Sequence, residues 1–236
     1  MSKLCKNQLI EKLVSLFGDA ETDIDEAIKE AKNQLVVKAK ESKREDLEKL
    51  FNGQIQTLKD RGCPEQIVEM LQNQKGKVVE RAREMSFVEG NIPFLPVIKS
   101  AYLGYYGLMS MVRNGDKQGY TYLNSATITD KFDTPEDPYY IYDVENGQAL
   151  LDKSPEKAID IIKGQSRSPL TAAEVVNLCI VTNVLSRHYV DAAGSRYDGS
   201  DRVPDVCLHD GDRPRLDWSY LDCPGRHWGS ASCGSR

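Results

Sequence analysis

The sequence predicts an α+β protein: a helical N-terminal region followed by a small mixed or antiparallel sheet with packed helices. Three observations carry this. Apolar residues recur at helical spacing up to about residue 88, the period changes there, and short aromatic and β-branched runs follow, bounded by Gly, Pro and Asp. The expected division is 1–43, an N-terminal helical extension; 44–88, a helical region packed on the core; and 89–236, the α+β domain. At 236 residues, with 28% charged and 40% hydrophobic side chains, the chain can bury a sizeable core.

In residues 4–17, Ile10, Leu13, Val14 and Phe17 form one stripe and Gly18 stops it. Thr22 and Asp25 open a second helix reaching about Lys40, with Ile24, Ile28, Ala31 and Leu35 on its apolar face. A third spans Glu45 to Arg61. The fourth begins at Pro64 and runs towards Met85, loosened at Gly76. Each stripe needs a covering surface, which for residues 1–43 is the core or a second copy of the chain. Homo-oligomerisation through these helices is therefore one expectation.

Ile92 to Ile98 carries two prolines and reads as an edge or irregular strand. Residues 101–113 are open between helix and loop, and Gly119 to Leu123 between strand and loop. Tyr139 to Val144, followed by Asn146-Gly147, predicts a hairpin returning through Gln148 to Leu151. Ser154-Pro155 and Thr171 with Glu174 are helix entries. Val203 to Leu208 and Leu216 to Leu221 read as strands around Asp210-Gly211-Asp212.

Composition excludes more than it assigns. The net charge of −5 argues against a nucleic-acid partner. The longest apolar run, Tyr102 to Val112, is glycine-interrupted and too short to span a membrane, and the N-terminus lacks a signal-peptide pattern. A cytoplasmic protein with free thiols is expected. Beyond Lys163 every basic residue but histidine is arginine, and eight aspartates from Asp191 to Asp222 lie among these arginines, which predicts a network of paired charges.

Several motifs stand in a characteristic order: Tyr140 to Gly147, Arg167 to Glu174, Gly194-Ser195-Arg196, Arg202-Val203-Pro204, Pro214-Arg215-Leu216 and His227 to Ser232. This series resembles a family of uncharacterised bacterial proteins known as a domain of unknown function. The resemblance is close over 138–236 and looser back to about 47, leaving 1–42 as an addition. It implies a shared fold and no activity. The chain departs from that pattern at Asp217, Ser219 and Tyr220, where the family usually has a glycine and a Cys-Trp pair.

The candidate site lies in the C-terminal stretch: Ser195, Arg196, Arg226, His227, Trp228 and Ser230. A Gly-Ser turn presents N–H groups and arginine presents charge, so a small anion is the expected ligand, with a protein partner as the other option. The competing reading is a hydrolase or transferase using His227 with Arg196 and Arg226. No Gly-x-Ser-x-Gly elbow accompanies Ser195, Ser230 or Ser232, so no triad can be written, and the enzyme reading ranks second. Cofactors are expected to be absent. A zinc site through Cys207, His209, Cys223, His227 and Cys233 is a minor alternative, since these spacings match no standard zinc module. The tail itself, held by Trp228, is expected to be part of the fold.

Overall fold

A computed structural model describes residues 24–199 and 201–236. The helix expected over 4–17 lies outside the described residues. The chain divides into two units, 1–46 and 47–236. Among the described residues, no helix is long and apolar enough to cross a membrane.

The second and third expected helices are one, α1 (Ile24–Asp60). Between them stand only Glu41, Ser42, Lys43 and Arg44, with neither Gly nor Pro to end a helix. Leu47, Phe51, Ile55 and Leu58 form its buried stripe. Phe51 stacks on Tyr140 with ring centroids 5.5 Å apart, and Gln54 Nε2 donates to the Phe94 carbonyl at 2.8 Å. The fourth expected helix is split into α2 (Glu65–Gln72) and α3 (Lys75–Glu84). The break falls at Asn73-Gln74, where Gln74 Nε2 donates to the Pro138 carbonyl at 2.7 Å, and Gly76 lies inside α3.

β1 (Ile92–Val97) pairs antiparallel with β6 (Tyr139–Val144), in register Phe94↔Tyr142 and Val97↔Tyr139. α4 (Ser100–Met111) settles the ambiguity over 101–113 in favour of a helix, kinked where Gly104 takes φ 64°. Short strands β2 (Arg113–Asn114), β3 (Lys117–Gln118), β4 (Tyr120–Thr121) and β5 (Ile128–Asp130) follow. Two capped helices come next. In α5 (Pro155–Gly164) Ser154 is the cap, and in α6 (Ala172–Val181) Thr171 and Glu174 form a capping box. Ala172 through Ile180 are all buried, so α6 is the central helix. Its Asn177 donates to the Ile98 carbonyl at 2.9 Å and accepts from the Ile98 N–H at 3.1 Å.

The hairpin expected at Asn146-Gly147 does not form. Gly147 turns the chain at φ 102°, but residues 148–150 make a 3-10 turn. The Glu145 carboxylate accepts from the Gly147 and Ala149 N–H groups at 3.0 Å each, so the donors of a returning strand are engaged locally. The strand edge is met instead by the C-terminus, through bridges Tyr142↔Ser235 and Glu145↔Ser232.

The main sheet has the order β12-β8-β10-β11-β4, with β8 (Tyr189–Asp191), β10 (Arg202–His209), β11 (Arg213–Tyr220) and β12 (Trp228–Ser230). It is mixed: β12 runs parallel to β8, β8 and β11 antiparallel to β10, and β4 parallel to β11. The expected turn at Asp210-Gly211-Asp212 joins β10 to β11, all three residues at positive φ. β9 (Ser195–Tyr197) pairs with β5, and β13 (Ser232–Cys233) with β7 (Ser168–Pro169). The fold is thus α+β, as the sequence predicts.

The tail is built into this fold. A Cβ on Gly229 would lie 2.1 Å from the Gly147 carbonyl oxygen, so β12 approaches the 145–147 turn more closely than any side chain permits. Gly229→Ala is expected to destabilise the protein by about 3 kcal/mol through forced backbone displacement. A melting temperature equal to that of the native sequence would show that the contact relaxes freely.

Candidate functional site

Strand alternation and register together build the site. On β8, β10 and β11, Val190, Val206 and Leu216 belong to the core, which leaves the flanking positions on the opposite sheet face. There the register aligns Ser230↔Asp191, Asp191↔Asp205 and Asp205↔Asp217, a row of one hydroxyl and three carboxyls across four strands. Two residues along the strands, Trp228 pairs with Tyr189 and Cys207 with Arg215. The Tyr189 and Trp228 rings meet edge to face, centroids 4.6 Å apart.

Charge pairing on this face is incomplete. Arg215 is ion-paired with Asp217. Asp191 and Asp205 are 1% and 2% exposed and face each other, and Asp191 receives a hydrogen bond from the Ser219 hydroxyl at 3.4 Å. Burial, with the neighbouring Asp205 charge, pushes the Asp191 carboxyl up to about 8. Burial pushes Asp205 up to about 6, opposed by the nearby Cys207 thiol, Trp228 indole and Arg215 guanidinium. The Cys207 thiol is itself pushed up to about 12, mainly by burial. Burial therefore favours a protonated form of the pair, which can then both donate and accept a hydrogen bond.

Five buried side-chain atoms lack a hydrogen-bond partner among the described residues. Four of them are on this face: Asp205 Oδ1, Arg215 Nε, Trp228 Nε1 and Ser230 Oγ. The Trp228 indole is close enough to favour the ionised form of Asp205 but lies outside hydrogen-bonding geometry.

The residues expected to form the site divide among three places. Ser195 is fully buried, and its hydroxyl donates to Asp130 Oδ1 at 2.5 Å and accepts from the Ala172 N–H at 2.8 Å, tying β9 and β5 to the start of α6. Arg196 donates to the Ala193 and Ser195 carbonyls at 3.0 and 2.7 Å, and burial lowers its pKa. Arg226 and His227 are exposed. His227 acts through its backbone, at φ 68°: its N–H donates to Asp152 Oδ1 at 2.9 Å, and its carbonyl accepts from the Tyr189 N–H at 2.9 Å. Only Trp228 and Ser230 join the acid face.

The candidate zinc ligands are likewise separated. Cys207 and Cys233 are buried on different sheets, while Cys223 and His227 are exposed. His209 lies on the surface with Nδ1 2.8 Å from Asp210. Among the described residues, no three His, Cys, Asp or Glu side chains converge in an arrangement that can hold a metal.

The expected network of paired charges is present in part. Asp198 and Asp217 pair with Arg202 and Arg215. Asp191 and Asp205 face one another instead, because the β8/β10 register sets them opposite, and sequence alone does not specify register. The alternation in Asp205-x-Cys207 and Asp217-x-Ser219, and the pairing of these two strands about the Asp210-Gly211-Asp212 turn, were readable; that β8 and β12 extend the face beside them was not.

A separate pocket of about 480 Å³ is lined by Asn91, Asp143, Glu145, Ser166, Arg167 and Gly234, among others. Its strongest groups are already matched. Arg167 is ion-paired with Asp143 and donates to the Ser232 hydroxyl at 2.9 Å, while Asn91 donates to Asp143 at 2.8 Å. This pocket therefore has weaker chemical demand for a ligand than the acid face.

Fold and site together define an α+β protein whose mixed sheet carries a buried, incompletely satisfied polar face. The chain belongs to a family of unknown function (DUF5701), whose model matches residues 49–236. No curated protein and no solved structure matches it.

Proposed function

We propose that this chain is a small-ligand-binding protein whose site is the acid face of the five-stranded sheet. One observation carries the reading: four buried polar atoms without protein partners gather on one face beside two buried carboxyls. Each such atom destabilises by about 1–3 kcal/mol if left unmatched, and buried polar groups in native proteins are nearly always matched. A molecule supplying the missing partners would bind with that energy behind it.

The chemistry favours a neutral or cationic polar ligand over the anion expected from the sequence. Two carboxyls face the site, and Arg196, the arginine nearest the Gly-Ser turn, has its guanidinium engaged by backbone carbonyls. Catalysis by His227 has less support, because its structural contacts run through its backbone. Thermal-shift measurements with glycerol, glucose, ethanolamine, phosphate and sulfate test the reading. Polyol or amine probes are expected to raise the melting temperature of the native sequence, and Trp228→Phe and Ser230→Ala to abolish the rise. Stabilisation by phosphate alone, or shifts unchanged in both variants, would remove the acid face as the site.

A further inference from the structure

We infer that the ligand of the acid face carries an ammonium group together with an oxygen acceptor, the chemistry shared by amino alcohols and amino acids. The inference rests on the sheet-face reading above and follows from what each unmatched atom lacks.

Asp205 Oδ1 lacks a donor, and the Ser230 hydroxyl, beside Asp191 in the same row, lacks any partner. Directly opposed residues on adjacent antiparallel strands hold their Cβ atoms about 4.5–5.5 Å apart, so the Asp191 and Asp205 carboxyls stand side by side on one face. By alternation and register the charged and titratable side chains on this face are Asp191, Asp205, Asp217, Cys207, His209, Tyr120, Tyr189, Arg213 and Arg215. Arg213 lies over the Tyr120 ring, 4.5 Å from its centroid, and Arg215, the cation beside the carboxyl row, is ion-paired with Asp217. Against it stand three carboxyls, two of them almost completely buried. An ammonium brings positive charge and three donors, matching Asp205, Asp191 and Ser230 with one group. A neutral hydroxyl brings one donor and no charge.

A cation alone leaves the other half of the face unmatched. Trp228 Nε1 and Arg215 Nε are donors, and both lack an acceptor. The same molecule must therefore offer an oxygen. A simple anion fails in the converse way, meeting the two donors while facing the carboxyl pair. Entry is from the side of Trp228, Arg215, Asp217 and Ser219, which are half-buried around the buried floor. When the ammonium docks between the carboxyls, the proton that burial holds on the pair passes to solvent, and binding releases about one proton per ligand.

Calorimetric titration of the full chain at pH 7, in two buffers of different ionisation enthalpy, tests this with ethanolamine and glycine as probes. Ethylene glycol and methylamine are the single-group controls. Ethanolamine or glycine is expected to bind at least tenfold more tightly than either control, with release of about one proton, and Asp205→Asn to weaken it at least tenfold. Which of the two probes binds better distinguishes a hydroxyl from a carboxylate acceptor within the proposal. A readout without substitution comes from the two tryptophan indole N–H resonances. Ethanolamine or glycine should move that of Trp228 and leave that of Trp218, on the opposite sheet face, in place. Ethylene glycol binding as tightly as ethanolamine, with the Trp228 resonance moving, would overturn the ammonium assignment and leave the sheet-face site standing. Movement of the Trp218 resonance alone, or no binding by any probe, would overturn both.

Discussion

Replacing Arg236 by Ala is expected to lower stability by about 3–5 kcal/mol, the range for removing one partner of a buried ion pair. Glu174 is 0% exposed, and its two carboxylate oxygens accept from Arg236 Nε and Nη2 at 2.8 and 2.9 Å. Tyr139 donates to it at 3.0 Å, and among the described residues no other charge pairs with it. Without the guanidinium, Glu174 becomes an uncompensated buried carboxylate at the start of the central helix. Truncation of residues 224–236 goes further, because it also removes β12 from the edge of β8 and β13 from β7. With typical total stabilities of about 5–15 kcal/mol, the truncated chain is expected to lose cooperative folding at room temperature. Urea denaturation followed by tryptophan fluorescence and far-UV circular dichroism measures both. Removing Glu174 and Arg236 together should cost less than the sum of the single changes. A truncated chain that melts at the native temperature would show that the tail merely lies on a core already complete without it.

Asp191→Asn is expected to change the pH dependence of stability more than its value in acid. In the folded chain the Asp191 carboxyl titrates near 8, far above an unfolded aspartate near 3.9. Between those values the unfolded state binds fewer protons than the folded one at this site, so its contribution to stability falls as pH rises. The loss begins near pH 4 and is complete above about pH 8. At about 1.4 kcal/mol per pH unit over about four units it is on the order of 5–6 kcal/mol. Asparagine cannot ionise, so the difference between the native sequence and the variant should grow in favour of the variant from pH 5 to pH 8.5. Parallel urea midpoints across that range would mean that Asp191 is solvated in solution and that the acid face is more open than its burial indicates.

Much of the architecture was legible in local pattern. The cap of α5, the capping box of α6, the β10–β11 hairpin and the tail's place in the fold each follow from residues within a few positions of one another. Readings failed where a remote contact overrode a local signal. Asn146-Gly147 is a strong hairpin dipeptide, yet the Glu145 carboxylate engages the nearby N–H groups, and the chain that completes the edge arrives from more than eighty residues away. Residues 41–44 carried the opposite error, a helix boundary inferred where no residue breaks a helix.

The same division runs through the site. By itself the sequence determined the types of side chain available: an arginine- and aspartate-rich C-terminal third, an anchoring Trp228, and strands whose alternation puts Asp205 with Cys207 and Asp217 with Ser219. Tertiary structure alone decided that Ser195 would brace α6, that Arg196 would bind backbone carbonyls, and that Ser230, Asp191, Asp205 and Asp217 would stand in one row. The reason is physical. Alternation along a strand is a property of neighbouring residues, whereas strand order and register are set by the packing of the whole core, and moving one strand by one residue would turn Asp205 into the core and Val206 out of it.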